Sequence, residues 1–175
     1  QAINKANLSA QIRTFSDGAS VTFNPSTFGL NGKTWTIEQG GELNFRKNTK
    51  VQGQVVLKES NQEIRLWTLP NDVGDWNDLH IAWQNLNLGD LSPLLMKKNR
   101  LEGIVSGEGI IEDPTNQLNL TGKLRASELR IDNDSIGRFE GTFNYNNKTG
   151  ILLAKGNNVD PEHKIEVDVA MKFKD

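Results

Sequence analysis

The residues able to carry chemistry in this chain are few and scattered. His80 and His163 are its only histidines, and it has no cysteine. A zinc–thiolate site, a thiol nucleophile, a His-rich metal site and a Ser/His/Asp triad therefore all lack parts. His80 falls between Leu79 and Ile81 and points away from them, as an exposed imidazole would; His163 sits in a Pro-Glu-His turn facing solvent. Asp75 with Asp78, or Glu108 with Glu112, has the residue types of a two-carboxylate glycoside hydrolase. A chain with 22 acidic residues holds such pairs by chance, and these read as ordinary exposed charges. Asp132, Asp134 and Gly137 echo a calcium loop, but Ile136 and Phe143 stand where oxygen ligands belong, which leaves a turn. Gly103, Gly107 and Gly109 lack the helix and lysine of a phosphate cradle. No catalytic residue, metal or cofactor is expected, and the reading is of a non-enzyme.

Four tryptophans offer a different chemistry, the stacking of sugar rings. Trp35 and Trp83 lie in phase with the apolar side of their strands, which makes them core or lining. Trp76, in a polar loop, is the one that looks free, and it supports an alternative reading of the chain as a secreted β-sandwich carbohydrate-binding module.

The elements that must position these residues are strands. Between residues 101 and 175, β-patterned segments are cut by turn clusters at Asp113-Pro114-Thr115-Asn116, Asp132-Asn133-Asp134-Ser135, Asn146 to Gly150, and Asn157 to Pro161. The last segment alternates without error: Ile165, Val167, Val169, Met171 and Phe173 against Lys164, Glu166, Asp168, Ala170 and Lys172. Upstream, shorter strands are expected at 7–14, 20–23, 33–39, 42–46, 51–57 and 63–67, with cleaner alternation at 78–85. Residues 68–77 form the longest polar connection, dividing the chain into parts 1–77 and 78–175. Leu91, Leu94 and Leu95 fall at helical spacing after Ser92-Pro93 and before Lys97-Lys98, predicting one short helix near 90–98. Four glycines between Gly103 and Gly122 lie inside strand patterns and predict a strongly curved sheet.

Bulk composition agrees with a β-rich single domain. The 175 residues suffice for a core, and twenty asparagines and 16 glycines supply many turns. A balance of 20 basic against 22 acidic residues, with no basic stripe among aromatics, argues against nucleic acid as a partner. No apolar run approaches the ~18 residues that cross a bilayer as a helix, and the start at Gln1 reads as a piece of a longer protein.

Several phrases resemble a known family. Phe28-Gly-Leu-Asn-Gly-Lys-Thr-Trp35-Thr-Ile, Asn61-Gln-Glu-Ile-Arg-Leu-Trp67, the passage from Leu79 to Met96 and Leu101-Glu-Gly-Ile-Val-Ser-Gly-Glu-Gly carry the likeness, with Leu120-Thr-Gly-Lys-Leu and Ile136-Gly-Arg-Phe-Glu-Gly after them. In these the chain resembles the C-terminal region of the TamB (translocation and assembly module) proteins, in the AsmA-like group of bridge-like lipid-transfer proteins. The resemblance spans most of the chain through patterns of Gly, Leu and strand phase. It implies a long curled antiparallel sheet, a β-taco or half-pipe with an apolar concave face. It also implies a periplasmic protein anchored in the inner membrane, reaching the outer membrane of a Gram-negative envelope. Such a protein moves phospholipid acyl chains and supports outer-membrane biogenesis with a BamA-like partner. Leu79, Ile81, Trp83, Leu118, Leu120, Leu124, Phe139, Phe143, Ile165, Val167, Val169, Met171 and Phe173 are then expected to line the groove. Self-association of the isolated piece, by strand edges or groove, is expected as well.

Overall fold

The computed structural model of the chain describes residues 3–7, 9–38, 41–46, 50–95, 100–159 and 164–173. Among the described residues fourteen strands form one sheet, every pairing in it antiparallel, with one short helix. The first half supplies β1 (Ile3–Asn7), β2 (Ala10–Phe15), β3 (Gly18–Phe23), β4 (Ser26–Leu30) and β5 (Lys33–Ile37). It continues with β6 (Gly41–Arg46), β7 (Gln52–Glu59) and β8 (Gln62–Pro70). Next, β9 (Asn77–Asn87) runs directly into helix α1 (Leu88–Leu95). The long strands β10 (Leu101–Glu112), β11 (Asn119–Ile131) and β12 (Asp134–Asn146) follow, then β13 (Ile151–Asn158) and β14 (Glu166–Lys172).

From β7 to β14 each strand pairs with its successor, a meander whose tight connections coincide with the Asp/Asn/Gly clusters of the sequence. The Asp113 C=O accepts three backbone N–H groups, from Asn116, Gln117 and Leu118, and the Asn146 side chain caps the N–H groups of Lys148 and Thr149. Before β7 the sheet forks. Leu57 and Lys58 of β7 pair with β5, while Gln52, Gly53 and Gln54 on the same edge pair with β6. Val55 and Val56 at the fork are buried, and the Val56 C=O takes the Glu38 N–H at 2.9 Å. One arm continues through β5, β4 and β1, the other through β6, β3 and β2.

Helix α1 covers one end of the sheet. The Asn87 side chain accepts the Gly89 N–H at 2.9 Å, a standard N-cap, so the helix begins four residues before the Ser92-Pro93 pair. Ser92 instead accepts the Leu101 N–H. Buried Asp90 in the first turn receives Lys33 of β5 at 2.6 Å and Gln62 of β8 at 3.4 Å, tying the helix across the strand ends. The buried core gathers there: Leu30 and Trp35 join Leu88 of the helix, Leu86, Val105, Ala126 and Leu129. Residues 96–99, and with them Lys97 and Lys98, lie outside the described residues, as does His163.

Two expectations change. The polar connection is six residues, 71–76, because β8 and β9 keep pairing as far as Pro70 opposite Asn77. The sheet is neither closed nor strongly curled; among the described residues β1, β2 and β14 each keep an unpaired edge. Gly103 lies at a register shift between β10 and β11, whereas three other strand glycines serve ring packing. A β-carbon at Gly107 would collide with the Trp83 indole, one at Gly122 with the Phe143 ring and one at Gly156 with the Phe139 ring. These glycines are floors on which aromatic side chains lie down.

Candidate functional site

Directly opposed residues in an antiparallel ladder project from the same side of the sheet, so the register reads out each face row by row. One row runs Ile37, Leu57, Ile64, Trp83, Gly107, Leu124, Gly141, Gly156, Val167 from β5 to β14. The next runs Val55, Leu66, Ile81, Gly109, Gly122, Phe143, Ala154, Val169 from β7 to β14. A third runs Leu79, Ile111, Leu120, Tyr145, Leu152, Met171. The first two rows contain no polar side chain, and the third has only the Tyr145 hydroxyl.

Aromatic rings knit these rows together. Trp83 and Phe143 stack with centroids 6.4 Å apart, and Tyr145 meets Phe173 edge-on at 6.2 Å across β13. Covering by protein declines along the rows. Leu79 is 8 % exposed, the side chains of β10 to β13 are half-buried, and at the end of the same row Met171 is 47 % exposed. At the α1 end of the strands Leu86, Val105, Ala126 and Leu129 are buried as well.

The opposite face carries charge. Its central row is Ala82, Glu108, Lys123, Thr142, Lys155, Asp168, and ion pairs span it at 2.8 Å (Glu108–Lys123) and 3.1 Å (Lys155–Asp168). Hydrogen bonding from Lys123, with its charge behind, holds the Glu108 carboxyl below the usual range. An open hollow of about 730 Å³ lies over this face, floored by Ser106, Arg125, Glu140 and Asn157 among others. The face also has apolar members, among them Ile110, and Trp67 stacks on His80 at 5.4 Å. His80 is thus half-buried under a ring rather than exposed.

The register brings together Leu79, Ile81, Trp83, Leu120, Leu124, Phe143, Val167, Val169 and Met171 on one side. Phe139 joins them opposite Ala126, in the row of Val105 and Leu86. Ile165 and Phe173 extend β14 by one bond at each end: the Ile165 C=O accepts the Asn158 N–H, and the Phe173 N–H meets the Gly150 C=O. Leu118 does not join the rows. It sits at positive φ in the turn before β11, 44 % exposed. Sequence reasoning missed Tyr145, Leu152 and Ile111. The signal for Tyr145 was present, since it shares the parity of Phe143.

The other candidates come apart. Trp76 is not free: its indole lies against Gly74 and its N–H bonds Asp78 at 2.9 Å. Asp75 pairs with Lys50 at 2.8 Å, while buried Asp78 also takes Asn71. Asp132 and Asn133 form the two-residue turn of the β11–β12 hairpin, and the Asp132 carboxylate accepts the Arg100 N–H. Among the described residues no group of three or more His, Cys, Asp or Glu converges on a metal position. None of their helices is long and apolar enough to cross a membrane. Compared with protein families, curated proteins and solved structures, the chain matches none.

Proposed function

We propose that this chain is a segment of a cell-envelope lipid conduit whose uncovered apolar sheet face carries phospholipid acyl chains. The observation that carries the reading is the pair of all-apolar rows reaching β14, with exposure rising along the sheet as protein cover ends. Water-exposed apolar surface costs about 25 cal/mol per Å², and a contiguous face of this kind marks an interaction site. Acyl chains satisfy such a face without directional bonds, so they can slide along it while charged head groups stay in water. The mechanism is passive. The face needs no side chain that forms or breaks bonds.

The resemblance to the TamB and AsmA-like group supplies the setting: a periplasmic protein, anchored in the inner membrane, serving outer-membrane biogenesis with a BamA-like partner. In this reading the face is a groove floor of modest curvature, and a fuller half-pipe belongs to the longer protein. The carbohydrate-binding alternative rests on Trp76, whose indole lies against Gly74 with its N–H on Asp78.

Photo-crosslinking residues placed singly at Phe143, Val167 and Val169 in the full-length protein in living cells test this. Glu166 and Asp168, on the charged side, are the controls. Phospholipid adducts at the first three alone are expected. Absence of adducts at all of them in a folded protein would sink the proposal.

A further inference from the structure

Two open hollows differ in how their charges are answered. In the one over the charged face, Lys123 and Lys155 are paired with Glu108 and Asp168, and Arg125 stands opposite Glu140 in the register. The second, of about 760 Å³, lies beside the start of α1 and is lined by Arg100, Arg130 and Arg138, with Ser135, Glu102 and Glu128 among others. Its acids leave two of these arginines unanswered. Glu102 stands directly opposite Arg130, but its carboxylate is taken by the Arg100 Nε at 2.7 Å. Asp90, also on the wall, is held by Lys33 at 2.6 Å. Among the described residues arginine ion pairs form at Arg46, Arg65 and Arg100, and none at Arg130 or Arg138. The strands bend around this hollow. Register shifts fall between Glu102 and Ile104 and between Ala126 and Arg130, and Gly103, Glu128 and Gly137 take φ of 128°, 53° and 78° on three neighbouring strands. Bulges re-aim side chains and cluster beside functional sites. Glu128 is a non-glycine in the left-handed region, a conformation that persists only where its surroundings impose it.

We infer that this second hollow binds a phosphate group through Arg130 and Arg138. A guanidinium presents a planar fork of N–H donors that meets an oxyanion with two parallel bonds. One fork already engages both oxygens of a carboxylate, whereas a tetrahedral phosphate has oxygens for two forks from separate strands. Ser135 stands directly opposite Arg130 in the β11–β12 ladder, which puts its hydroxyl at hand for a further oxygen. The chain carries a net charge of −2, so two guanidiniums without carboxylates in one hollow make a local positive field against its overall sign. The inference stands on these charges and on the register, and does not require the acyl-chain reading.

Inorganic phosphate is the probe, titrated against chloride at matched ionic strength while NMR follows the arginine Nε–H signals of the whole chain. Those of Arg130 and Arg138 should shift saturably with phosphate alone. Arg130→Gln or Arg138→Gln should weaken binding about tenfold. Arg130→Lys, which keeps the charge and loses the fork, should weaken it too. Glu102→Gln frees the Arg100 guanidinium and should tighten binding. Arg125→Gln, the same charge change in the other hollow, should leave it unchanged. Flotation with phosphatidylcholine vesicles, with and without phosphatidic acid, distinguishes the source. Retention that needs both phosphatidic acid and the two arginines assigns a lipid phosphate; phosphate binding without retention assigns a soluble phosphate ester. Shifts no larger in phosphate than in chloride, or equal weakening by Arg125→Gln, would overturn the inference. So would an Arg130→Lys variant that binds as tightly as the parent.

Discussion

Trp83 and Phe143 lie on β9 and β12, three strands apart, yet their rings stack at 6.4 Å. Strand spacing would hold their backbones about 14 Å apart. The distance closes because Trp83 reclines over Gly107 and Phe143 over Gly122, on the two strands between. This part of the sheet surface is thereby built from a few large rings on a floor of glycines.

Filling that floor should be destabilising. Gly107→Val or Gly122→Val forces a side chain into space held by a ring and should cost about 1–3 kcal/mol. The same change at an ordinary strand glycine would be favourable or neutral. Urea unfolding followed by tryptophan fluorescence measures it, and unchanged midpoints would show that the rings do not rest there.

The core at the α1 end should depend on Trp35, 2 % exposed and stacked on Phe28. Trp35→Ala should cost about 3–5 kcal/mol through the cavity it leaves. Its indole N–H is buried without a hydrogen-bond partner. Trp35→Phe removes that donor and should cost clearly less than Trp35→Ala in the same unfolding measurement.

The helix cap offers a smaller, local test. Asn87→Ala removes the acceptor of the Gly89 N–H and should lower stability by about 1 kcal/mol. Because α1 covers the core around Leu88, hydrogen exchange should rise in the helix before it rises in β11 or β12.

Binding of a fluorescent fatty-acid probe should discriminate the two faces. Phe143→Glu or Val169→Glu puts a charge into an all-apolar row and should reduce binding at least tenfold. Thr142→Glu, one residue away on the charged side, should leave it unchanged. Equal losses from all three would place the probe elsewhere.

For Glu108 the pH dependence has a definite sign. Lys123 holds its folded pKa below the usual carboxylate value, so its contribution is complete above that value and fades as pH falls through the lowered one. In an NMR titration, Lys123→Gln should move the Glu108 midpoint upward. The pair is exposed, so raised salt should move it the same way.

How much of this was legible in the chain depends on range. The alternation from Ile165 to Phe173 and the Asp/Asn/Gly clusters determined strands, turns and the side each β14 residue takes, because period-2 geometry and turn φ/ψ are local properties. The helix was legible only in part: leucine spacing announced it, but its start depends on Asn87 meeting Gly89 and on Asp90 meeting Lys33, a residue 57 positions earlier. The role of the glycines was legible only at Gly103, which sits at a register shift as a strand glycine does at a bulge. Gly107 and Gly122 looked like bends until cross-strand register put Trp83 and Phe143 above them. Trp76 looked free until folding brought it against Gly74 and Asp78. The sequence by itself determined which residues are apolar and their parity within a strand. Only the tertiary structure decided that these parities align across nine strands into one face, since register is set by pairings between distant segments. It also decided that α1 covers one end while the β14 end stays bare.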